Sequence, residues 1–496
     1  MCGIVGYLGK KDAREIIING LVRLEYRGYD SAGISLYNND LKEFKVYKDE
    51  GRVAHLQSIT DFSYKSTLGI GHTRWATHGV PNQVNSHPHS SMNDRFVIVH
   101  NGVIDNYKEL KADILQENIF SSETDTEVIA HLIEKFSNEM TVEEAIRKTI
   151  SLLEGSYALL ILDTEDSNHL YAAKNKSPLL IGISDDGIIV ASDLMALIGY
   201  STKYIPLDDK TFIDVTKDGY IIKDIIGIEV EHEVKIIDID YFNIEKGEYS
   251  HFMLKEINEQ PTVIRNIISK YFDGDKININ GNVKSMIEAA DRLYIIAAGT
   301  SMNAGFIGKE MFEKLAGIPT EVHIASEFAY NMPILSKKPL FMFISQSGET
   351  ADLRAVLVNV KKKGYPTLTV TNVKTSTLAR EADSFVEIHA GPEIAVASTK
   401  AYTAQIAVLS ILACLVSDKQ YINLRKELSK VAIGMENIID KKDYIKEIVK
   451  EYLTKHNCFY IGRGIDYYAS LESALKLKEI SYIQTEGFAA GELKHG

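Results

Sequence analysis

The stretch CGIVGYLG, residues 2–9, places a cysteine directly behind the initiator methionine and follows it with β-forming residues. It predicts a first strand in which Cys2 is a small apolar residue, since most free cysteines are buried and inert. A chemical interpretation competes with this one. If Met1 is removed, Cys2 carries a thiol with an ordinary pKa of about 8.5 beside an α-amine that titrates near about 8. One residue would then supply a nucleophile and its own general base.

The composition is that of a globular protein with two or three domains. The chain has 496 residues, too many for one core, of which 45% are hydrophobic and 25% are charged. A formal net charge of −13 argues against a protein that binds nucleic acid or an anionic membrane, because polyanions need a basic surface. The three cysteines, at positions 2, 414 and 458, have no disulfide or zinc spacing, which favours a reducing cytoplasmic location.

Targeting and membrane segments are not expected. The glycine-rich start lacks the long apolar segment of a signal peptide. The longest apolar run, IAVLSILACLV at 406–416, is too short to cross a bilayer and predicts a buried helix.

The first half, to about residue 240, reads as short strands punctuated by Gly, Asn and Asp, such as FVIVHNGVI at 96–104 and YALLILD at 157–163. Helical spacing of apolar residues appears at 13–28 and 125–136. The pattern predicts an α+β domain with antiparallel sheets and helices outside them. The polar stretch 241–260, which Pro261 follows, is assigned to a linker.

After the linker, continuous apolar strands alternate with helices. LYIIAAG at 293–299, LFMFISQ at 340–346 and TLTVTNV at 367–373 are such strands. Their alternation with helices predicts an α/β module, at about 261–430, whose parallel sheet is covered by helices on both faces.

A second copy of this module begins near residue 450. Gly299 precedes Glu327 by 28 positions, and Gly464 precedes Glu492 by the same 28. The second copy supplies one clear strand and one long helix, and a sheet of one strand cannot bury its faces. Either the sequence is part of a longer one, or the module borrows a partner.

Three side chains of the first half could serve an N-terminal nucleophile. The Asn101 amide and the Gly102 N–H could form an oxyanion hole, although on spacing alone Asn-Gly is more typical of a hairpin turn. Arg74 is either a structural ion pair or a clamp for a carboxylate. Asp125 either begins a helix or binds an ammonium group. Together Arg74 and Asp125 would match the two charges of an amino-acid backbone.

The motifs CGIVGYLG, LEYRGYDSAG, GHTRWATHG, HNGVIDNY and SETDTE resemble the glutaminase domain of N-terminal-nucleophile amidotransferases. The resemblance implies an αββα glutamine amidotransferase type 2 domain at 2–240. It implies that Cys2 attacks the side-chain amide of glutamine, forms a glutamyl thioester and releases ammonia, with Asn101 and Gly102 as the oxyanion hole. It further implies that glutamine is bound by Arg74, His78 and Asp125, with Arg27 and Gly28 near the thiol.

In the second half, polar side chains follow two predicted strands. Ser345, Gln346, Ser347 and Thr350 lead from a strand into a helix, and a helix N-terminus with hydroxyl groups favours an anion. The alternative is a simple N-cap, which needs only one hydroxyl. The segment AAGTS at 297–301 adds Thr300 and Ser301 after the preceding strand, and ligands of such sheets bind at the carboxyl ends of strands.

The segment LESALKLKEISYI at 471–483 places Glu472, Lys476 and Glu479 along one helix face. This is either a solvated salt-bridge face or a base for an aldose–ketose interconversion.

Together with VASTKAYTAQ and AAGELKHG, these motifs resemble the sugar isomerase half of the glutamine–fructose-6-phosphate aminotransferases. The resemblance implies a first sugar isomerase (SIS) domain at 261–430 and the start of a second, truncated one at 450–496. It implies that Glu479 moves a proton between C1 and C2, that Lys476 supports the site, and that His495 opens the sugar ring across a subunit boundary. The sugar phosphate would be held by Thr300, Ser301, Ser345, Gln346, Ser347 and Thr350, with the backbone near Val396 lining the site.

The two resemblances imply one activity. Ammonia from L-glutamine would be passed to fructose 6-phosphate, giving glucosamine 6-phosphate and glutamate, in a homodimer without metal or organic cofactor. The family also uses a C-terminal lysine and tail, which we expect this sequence to lack. Two alternatives therefore stay open: a glutaminase only, or a regulatory protein that binds sugar phosphates.

Overall fold

The computed structural model describes residues 2–25, 28, 30–63, 65–75, 80, 82–237, 246–418, 423–452 and 456–495. The chain divides into two compact units, 1–242 and 243–496.

The elements of the first unit follow in chain order. They are β1 (Gly3–Gly9), α1 (Ala13–Leu24), β2 (Ser31–Asn38), β3 (Glu43–Glu50), α2 (Val53–Ile59), β4 (Leu68–Arg74), β5 (His89–Ser90), β6 (Phe96–Ile104), α3 (Tyr107–Asp113), α4 (Glu127–Ser137), α5 (Val142–Leu152), β7 (Gly155–Asp163), β8 (Asp166–Asn175), β9 (Leu180–Ser184), β10 (Gly187–Ala191), β11 (Lys203–Pro206), β12 (Thr211–Thr216), β13 (Gly219–Asp224) and β14 (Lys235–Ile236).

Two antiparallel sheets stack face to face in this unit. Within the described residues, one has the strand order β14-β11-β9-β10-β1-β4-β2-β3 and the other β13-β12-β8-β7-β6-β5. Side chains alternate along β1, so Ile4 and Leu8 pack between the sheets, whereas Val5 and Tyr7 face the outer core that α1 and α2 cover. Helices α4 and α5 cover the outer face of the second sheet. The predicted arrangement of antiparallel sheets between helices is confirmed.

The elements of the second unit follow in the same way. They are α6 (Phe252–Tyr271), β15 (Phe272–Asp273), β16 (Lys276–Ile277), α7 (Gly281–Ala289), β17 (Arg292–Ala297), α8 (Gly299–Met311), β18 (Thr320–Ile324), α9 (Ala325–Tyr330), β19 (Pro339–Ser345), α10 (Ala351–Lys362), β20 (Thr367–Thr371), α11 (Thr377–Glu381), β21 (Ser384–Glu387), α12 (Lys400–Leu415), α13 (Leu424–Ile439), α14 (Lys442–Tyr452), β22 (Asn457–Gly462), α15 (Ile465–Ser481) and β23 (Gln484–Ala489).

A parallel sheet with the order β18-β17-β19-β20-β21 forms the centre of the second unit. Both faces are covered, since Leu293 and Ile295 pack into one core and Tyr294 and Ile296 into the other. The prediction of a parallel sheet buried on both sides is confirmed. The strand order reverses between β17 and β19, and such a switch point is where open α/β sheets bind ligands.

The internal duplication is visible in the backbone. Strand, helix and parallel strand recur as β17-α8-β18 and β22-α15-β23. Gly299 and Gly464 occupy the same place in the two copies and have φ angles of +53° and +59°, in the left-handed region that glycine adopts without strain. The sequence predicted one strand in the second copy. The structure adds β23, whose small and polar residues carry no apolar run.

The predicted linker is partly helical. Residues 252–260 form the first half of α6, and Pro261 lies inside this helix. The polar residues that suggested a flexible connection include Glu256, which is buried within the second unit. The run at 406–416 forms most of the buried helix α12, as predicted. No helix in the described part of the chain has both the length and the apolar composition needed to cross a membrane.

Candidate active sites

The Cys2 thiol lies at the start of β1, beside the end of β4. Its Sγ accepts a hydrogen bond from the backbone N–H of Trp75 at 3.2 Å and lies 3.6 Å from the Trp75 carbonyl oxygen. Burial raises the pKa of this thiol, although the Trp75 hydrogen bond opposes the shift. The thiol is therefore held in its neutral form near pH 7, and a base must take its proton before it attacks.

Asn101 and Gly102 do not form a turn. Both lie inside β6, paired with Ala158 and Tyr157 of β7. The Asn101 Nδ2 donates to the Cys2 carbonyl oxygen at 3.0 Å, which leaves its second amide proton for another acceptor. Gly102 has a φ of +139°, and a Cβ there would lie 1.9 Å from the Ser156 carbonyl oxygen, so only glycine fits.

Arg74 and Asp125 are buried charges in the same unit. Burial lowers the pKa of Arg74, whereas the nearby negative charges of Cys2, Asp30 and Asp125 raise it. The Asp125 Oδ2 accepts from the backbone N–H of Ile104 at 2.8 Å. Asp125 is not the N-cap of α4, because Thr126 occupies that position. The charge of Asp125 thus acts on Arg74 within the first unit.

Gly28 packs against the end of β4. A Cβ at Gly28 would lie 2.8 Å from both the carbonyl carbon of Arg74 and the nitrogen of Trp75. The other two predicted glutamine-binding residues, Arg27 and His78, lie outside the described residues.

A stack of buried histidines, which the sequence analysis missed, joins the two sheets beside these groups. The rings of His72 and His87 stack at 4.0 Å between centroids, and His89 meets His87 edge-on at 4.6 Å. A His72 ring nitrogen, Nε2, lies 3.1 Å from the carbonyl oxygen of His100, the residue before Asn101. Burial lowers the pKa of His72 and His89 to about 3 and that of His87 well below its ordinary value.

We expect the first unit to lose stability as the pH falls below about 6.5. In that window the unfolded chain binds a proton at each of His72, His87 and His89 that the folded chain does not bind. Each such proton lowers the free energy of unfolding by about 1.4 kcal/mol per pH unit until the folded pKa is reached. Urea unfolding followed by the fluorescence of Trp75, the only tryptophan, measures this dependence in the first unit.

The matched pair of variants for this prediction is His89→Gln and His55→Gln. The first should remove about one third of the pH slope, since it removes one of three protons. The second changes an exposed histidine on α2 and should leave the slope unchanged. A wild-type stability that is flat between pH 6.5 and 5 would contradict the prediction.

The predicted phosphate-binding hydroxyls lie at the switch point of the second unit. Ser345 ends β19, and its Oγ accepts from the Gly348 N–H at 3.0 Å and lies 3.1 Å from the Thr350 Oγ1. Gly348 has a φ of +66°, and a Cβ there would lie 2.0 Å from the Ser376 Oγ. Thr350 is the N-cap residue of α10, but its side chain makes no capping bond. The simple capping alternative therefore fails, because the Thr350 side chain does not cap α10.

The other polar groups of this edge have defined partners. The Ser347 Oγ accepts from the Glu349 N–H at 3.2 Å, and the Gln346 carbonyl oxygen accepts from the Asn372 N–H at 3.1 Å. Ser301, on α8, is buried, and its Oγ accepts from the Nε2 of Gln405 at 3.0 Å. Gln405 was not predicted, because only its contact with α8 distinguishes it from other residues of the buried helix α12.

A charged cluster joins α8 of the first copy to α15 of the second. The Lys476 Nζ lies 2.6 Å from the Glu479 Oε2, 2.9 Å from the Thr300 Oγ1 and 3.4 Å from the Glu472 Oε1. Glu472 also accepts from the Asn303 Nδ2 at 2.7 Å. Glu472 is buried and burial raises its pKa, so the alternative of a solvated salt-bridge face is wrong.

Two predicted residues, His495 and Val396, are not part of the hydrogen bonds that join this cluster. His495 is exposed in a short 3₁₀ turn, where its backbone N–H donates to the Glu492 carbonyl oxygen at 2.8 Å. Val396 is 45% exposed, in the segment that leads into α12. The structure thus assembles Thr300 with Lys476 and Glu479, and leaves His495 without a contact to them.

Comparison with known proteins gives the same division of the chain. A glutamine amidotransferase domain model matches residues 72–199, and a SIS domain model matches residues 286–415. The glutamine–fructose-6-phosphate aminotransferase (isomerizing) of Staphylococcus aureus strain N315 is 56% identical over 504 residues, covering 100% of this chain and 84% of that protein. The enzyme of the same name from Halalkalibacterium halodurans is 55% identical over 503 residues, with the same two coverages.

Among solved structures, the C-terminal domain of glucosamine-fructose-6-phosphate aminotransferase from Francisella tularensis is similar. It shares 38% sequence identity with a TM-score of 0.46, covering 51% of this chain and 73% of that one.

Proposed function

Because the chain belongs to the family of isomerizing glutamine–fructose-6-phosphate aminotransferases, we propose that its two units divide that family's reaction between them. The chain makes glucosamine 6-phosphate from fructose 6-phosphate with glutamine as the nitrogen donor. The observation that carries the proposal is that one chain holds Cys2, whose carbonyl oxygen accepts from the amide of Asn101, and, in its other unit, the Thr300 hydroxyl bonded to a Lys–Glu cluster.

Cys2 is the proposed nucleophile of the glutaminase reaction. After removal of Met1, its α-amine takes the thiol proton, the sulfur attacks the amide carbon of glutamine, and the proton passes to the leaving ammonia. Water then cleaves the glutamyl thioester and gives glutamate. The free proton of the Asn101 amide and the N–H of Gly102 stabilise the oxyanion of both steps.

Glutamine recognition is assigned to the buried charges of the first unit. Arg74 would pair with the α-carboxylate of glutamine and Asp125 with its α-ammonium group, while Gly28 leaves room beside the Trp75 nitrogen that donates to the Cys2 thiol. A role for Arg27 and His78 in the same pocket stays a prediction.

The second unit is proposed to bind and isomerise the sugar. Its phosphate would lie at the switch point, held by Thr300, Ser301, Ser345, Gln346, Ser347 and Thr350. Glu479 would carry a proton between C1 and C2, with the hydrogen bond from Lys476 orienting its carboxylate. His495 would open the sugar ring of a neighbouring subunit, which requires the proposed homodimer.

The domain assignment follows from these roles. We propose residues 2–240 as the glutamine amidotransferase domain, 261–430 as the first SIS domain and 450–496 as the beginning of a second. Of the proposed linker 241–260, residues 252–260 belong to helix α6. A cytoplasmic location stays a prediction.

Isotope transfer tests the proposed function. The purified chain is incubated with fructose 6-phosphate and glutamine labelled with nitrogen-15 at the side-chain amide, and the products are followed by mass spectrometry. We expect labelled glucosamine 6-phosphate in proportion to glutamate. Glutamate without any amino sugar would indicate a glutaminase only, and sugar-phosphate binding without either product would indicate a regulatory protein.

A further inference from the structure

We propose that Glu256 and Glu259, in the first half of α6, are positioning residues that hold the segment 393–400 in the shape that the sugar-phosphate site needs. The inference rests on the proposed function, in which the backbone at Val396 lines that site. Both glutamates come from the stretch that its polar composition assigned to a linker.

Glu256 anchors the middle of the segment. Its Oε1 accepts hydrogen bonds from the backbone N–H groups of Ile394 at 2.5 Å and Ala395 at 3.0 Å. The side chain is only 2% exposed, and its Oε2 is buried without a hydrogen-bond partner among the described residues. Hydrogen bonds to a charged acceptor are roughly twice as strong as neutral ones, so this carboxylate fixes two successive backbone groups.

Glu259 anchors the end of the segment. Its Oε2 lies 2.6 Å from the Nζ of Lys400, a lysine that is only 3% exposed and that begins α12. Since Glu256 and Glu259 are three residues apart on one helix, the same face of α6 holds both Ile394–Ala395 and Lys400. Val396 lies between these two attachments.

Glu393 closes the segment on itself. Its Oε1 accepts from the N–H groups of Thr399 at 2.8 Å and Ala401 at 3.1 Å, and its Oε2 accepts from the Ser398 Oγ at 2.7 Å. The segment is therefore a compact turn. Hydrogen bonds to Glu393 stabilise the turn, and hydrogen bonds to Glu256 hold it against α6. Helix α12 follows this segment and carries Gln405, which donates a hydrogen bond to the predicted phosphate ligand Ser301. The position of the segment is therefore coupled through α12 to the switch point.

The charges around Glu256 make its state sensitive to pH. Glu393 faces it from the segment, Lys400 from the start of α12, and Glu259 and Lys255 lie on its own helix. Burial and the charge of Glu393 raise the pKa of Glu256 to about 7, against the effect of the two N–H groups and Lys400. Above a pH of about 7, Glu256 is a carboxylate, which is a stronger hydrogen-bond acceptor than the neutral carboxyl group present at lower pH. An apolar residue would avoid the cost of a buried carboxyl, so packing alone does not account for Glu256.

The test measures fructose 6-phosphate binding by calorimetry together with glutamine hydrolysis in the same preparations of the 496-residue chain. Glu256→Ala should weaken fructose 6-phosphate binding about tenfold or more, because two backbone N–H groups lose a charged acceptor, and should leave glutamine hydrolysis unchanged. Glu256→Gln, which keeps one acceptor oxygen, should retain affinity within about threefold. The control, Arg265→Gln, lies on α6 like Glu256 and removes an exposed ion pair with Glu436 of α13. It should change neither fructose 6-phosphate binding nor glutamine hydrolysis.

The pH profile separates positioning from a general structural role. As the pH falls through 7, the affinity of the wild-type protein for fructose 6-phosphate should decline more than the affinity of Glu256→Gln. Titration of the sugar phosphate affects both proteins equally, but only the wild type can gain a proton at residue 256. If Glu256→Ala does not fold, Glu259→Gln supplies the second variant, with an expected several-fold weaker binding.

Two outcomes overturn different statements. A folded Glu256→Ala protein that binds fructose 6-phosphate as wild type does, or identical pH profiles for wild type and Glu256→Gln, would overturn the positioning role. Wild-type protein that binds no sugar phosphate would instead overturn the proposed function of the second unit.

Discussion

Replacing Cys2 by serine is expected to lower the rate of glutamine hydrolysis by about 10⁴-fold or more, the scale of losing a catalytic nucleophile. A serine hydroxyl still accepts the Trp75 N–H, so the first strand and its surroundings should be preserved. The hydroxyl is a far weaker acid than the thiol, and an α-amine that titrates near about 8 cannot ionise it to a useful extent. Fructose 6-phosphate binding, which we assign to the second unit, should be unchanged.

The measurement is the release of glutamate, with trapping of the intermediate as a second readout. Hydroxylamine should convert the glutamyl thioester of the wild-type enzyme into γ-glutamyl hydroxamate, and the serine variant should give none. Cys414→Ser and Cys458→Ser are the matched controls, because both cysteines are half-buried and free but lie outside the first unit. An enzyme that hydrolyses glutamine at the wild-type rate while retaining Met1 would contradict the assignment of the base.

The sheets of both units could be predicted because their residue patterns are local. The strand β1 could be predicted from β-forming residues punctuated by glycines, although both of its faces are apolar and only the fold shows that Ile4 and Val5 enter different cores. Continuous apolar strands indicate a sheet buried on both faces, which β17 and β19 form. The strand β23 lacks such a pattern, since its position is set by pairing with β22 rather than by its own composition.

The site residues were harder to predict wherever their role depends on distant parts of the chain. Thr300 and Lys476 are 176 positions apart, and only the packing of α15 on α8 brings them together. Asn101 reads locally as part of a turn, and only the register with β7 shows that it lies inside a strand. Glu256 lies in the stretch that the sequence analysis assigned to a linker and Lys400 was given no role there, whereas in the structure both are buried.

The Lys476 cluster explains why two carboxylates are compatible at one site. Burial raises the pKa of Glu472, while Lys476 and the hydrogen bonds from Asn303 and Thr300 favour its charged form. The ammonium group is closer to Glu479, at 2.6 Å, than to Glu472, at 3.4 Å. Glu472 is buried and accepts hydrogen bonds from Thr300 and Asn303 on α8, whereas Glu479 is 33% exposed, so we assign the proton exchange with a substrate to Glu479.

Replacing Glu479 by glutamine is therefore expected to slow the isomerisation of the sugar by about 10²- to 10⁴-fold, the usual contribution of a positioned acid or base. Glutamine has the shape of glutamate and can still accept a hydrogen bond from Lys476, so fructose 6-phosphate affinity should stay within a few-fold of wild type. Glutamine hydrolysis in the first unit should not change. Glu486→Gln, at an exposed position on β23, is the control and should behave as wild type.

Proton exchange in deuterium oxide isolates the step assigned to Glu479. Magnetic resonance of fructose 6-phosphate incubated with the enzyme follows the loss of the C1 proton signal, which needs a base at C1 but no ammonia. Wild type and Glu486→Gln should wash out this signal, and Glu479→Gln should not. If Glu479→Gln exchanged the proton at the wild-type rate and yet made no amino sugar, Glu479 would act after the proton is removed. The base would then have to be sought elsewhere in the second unit.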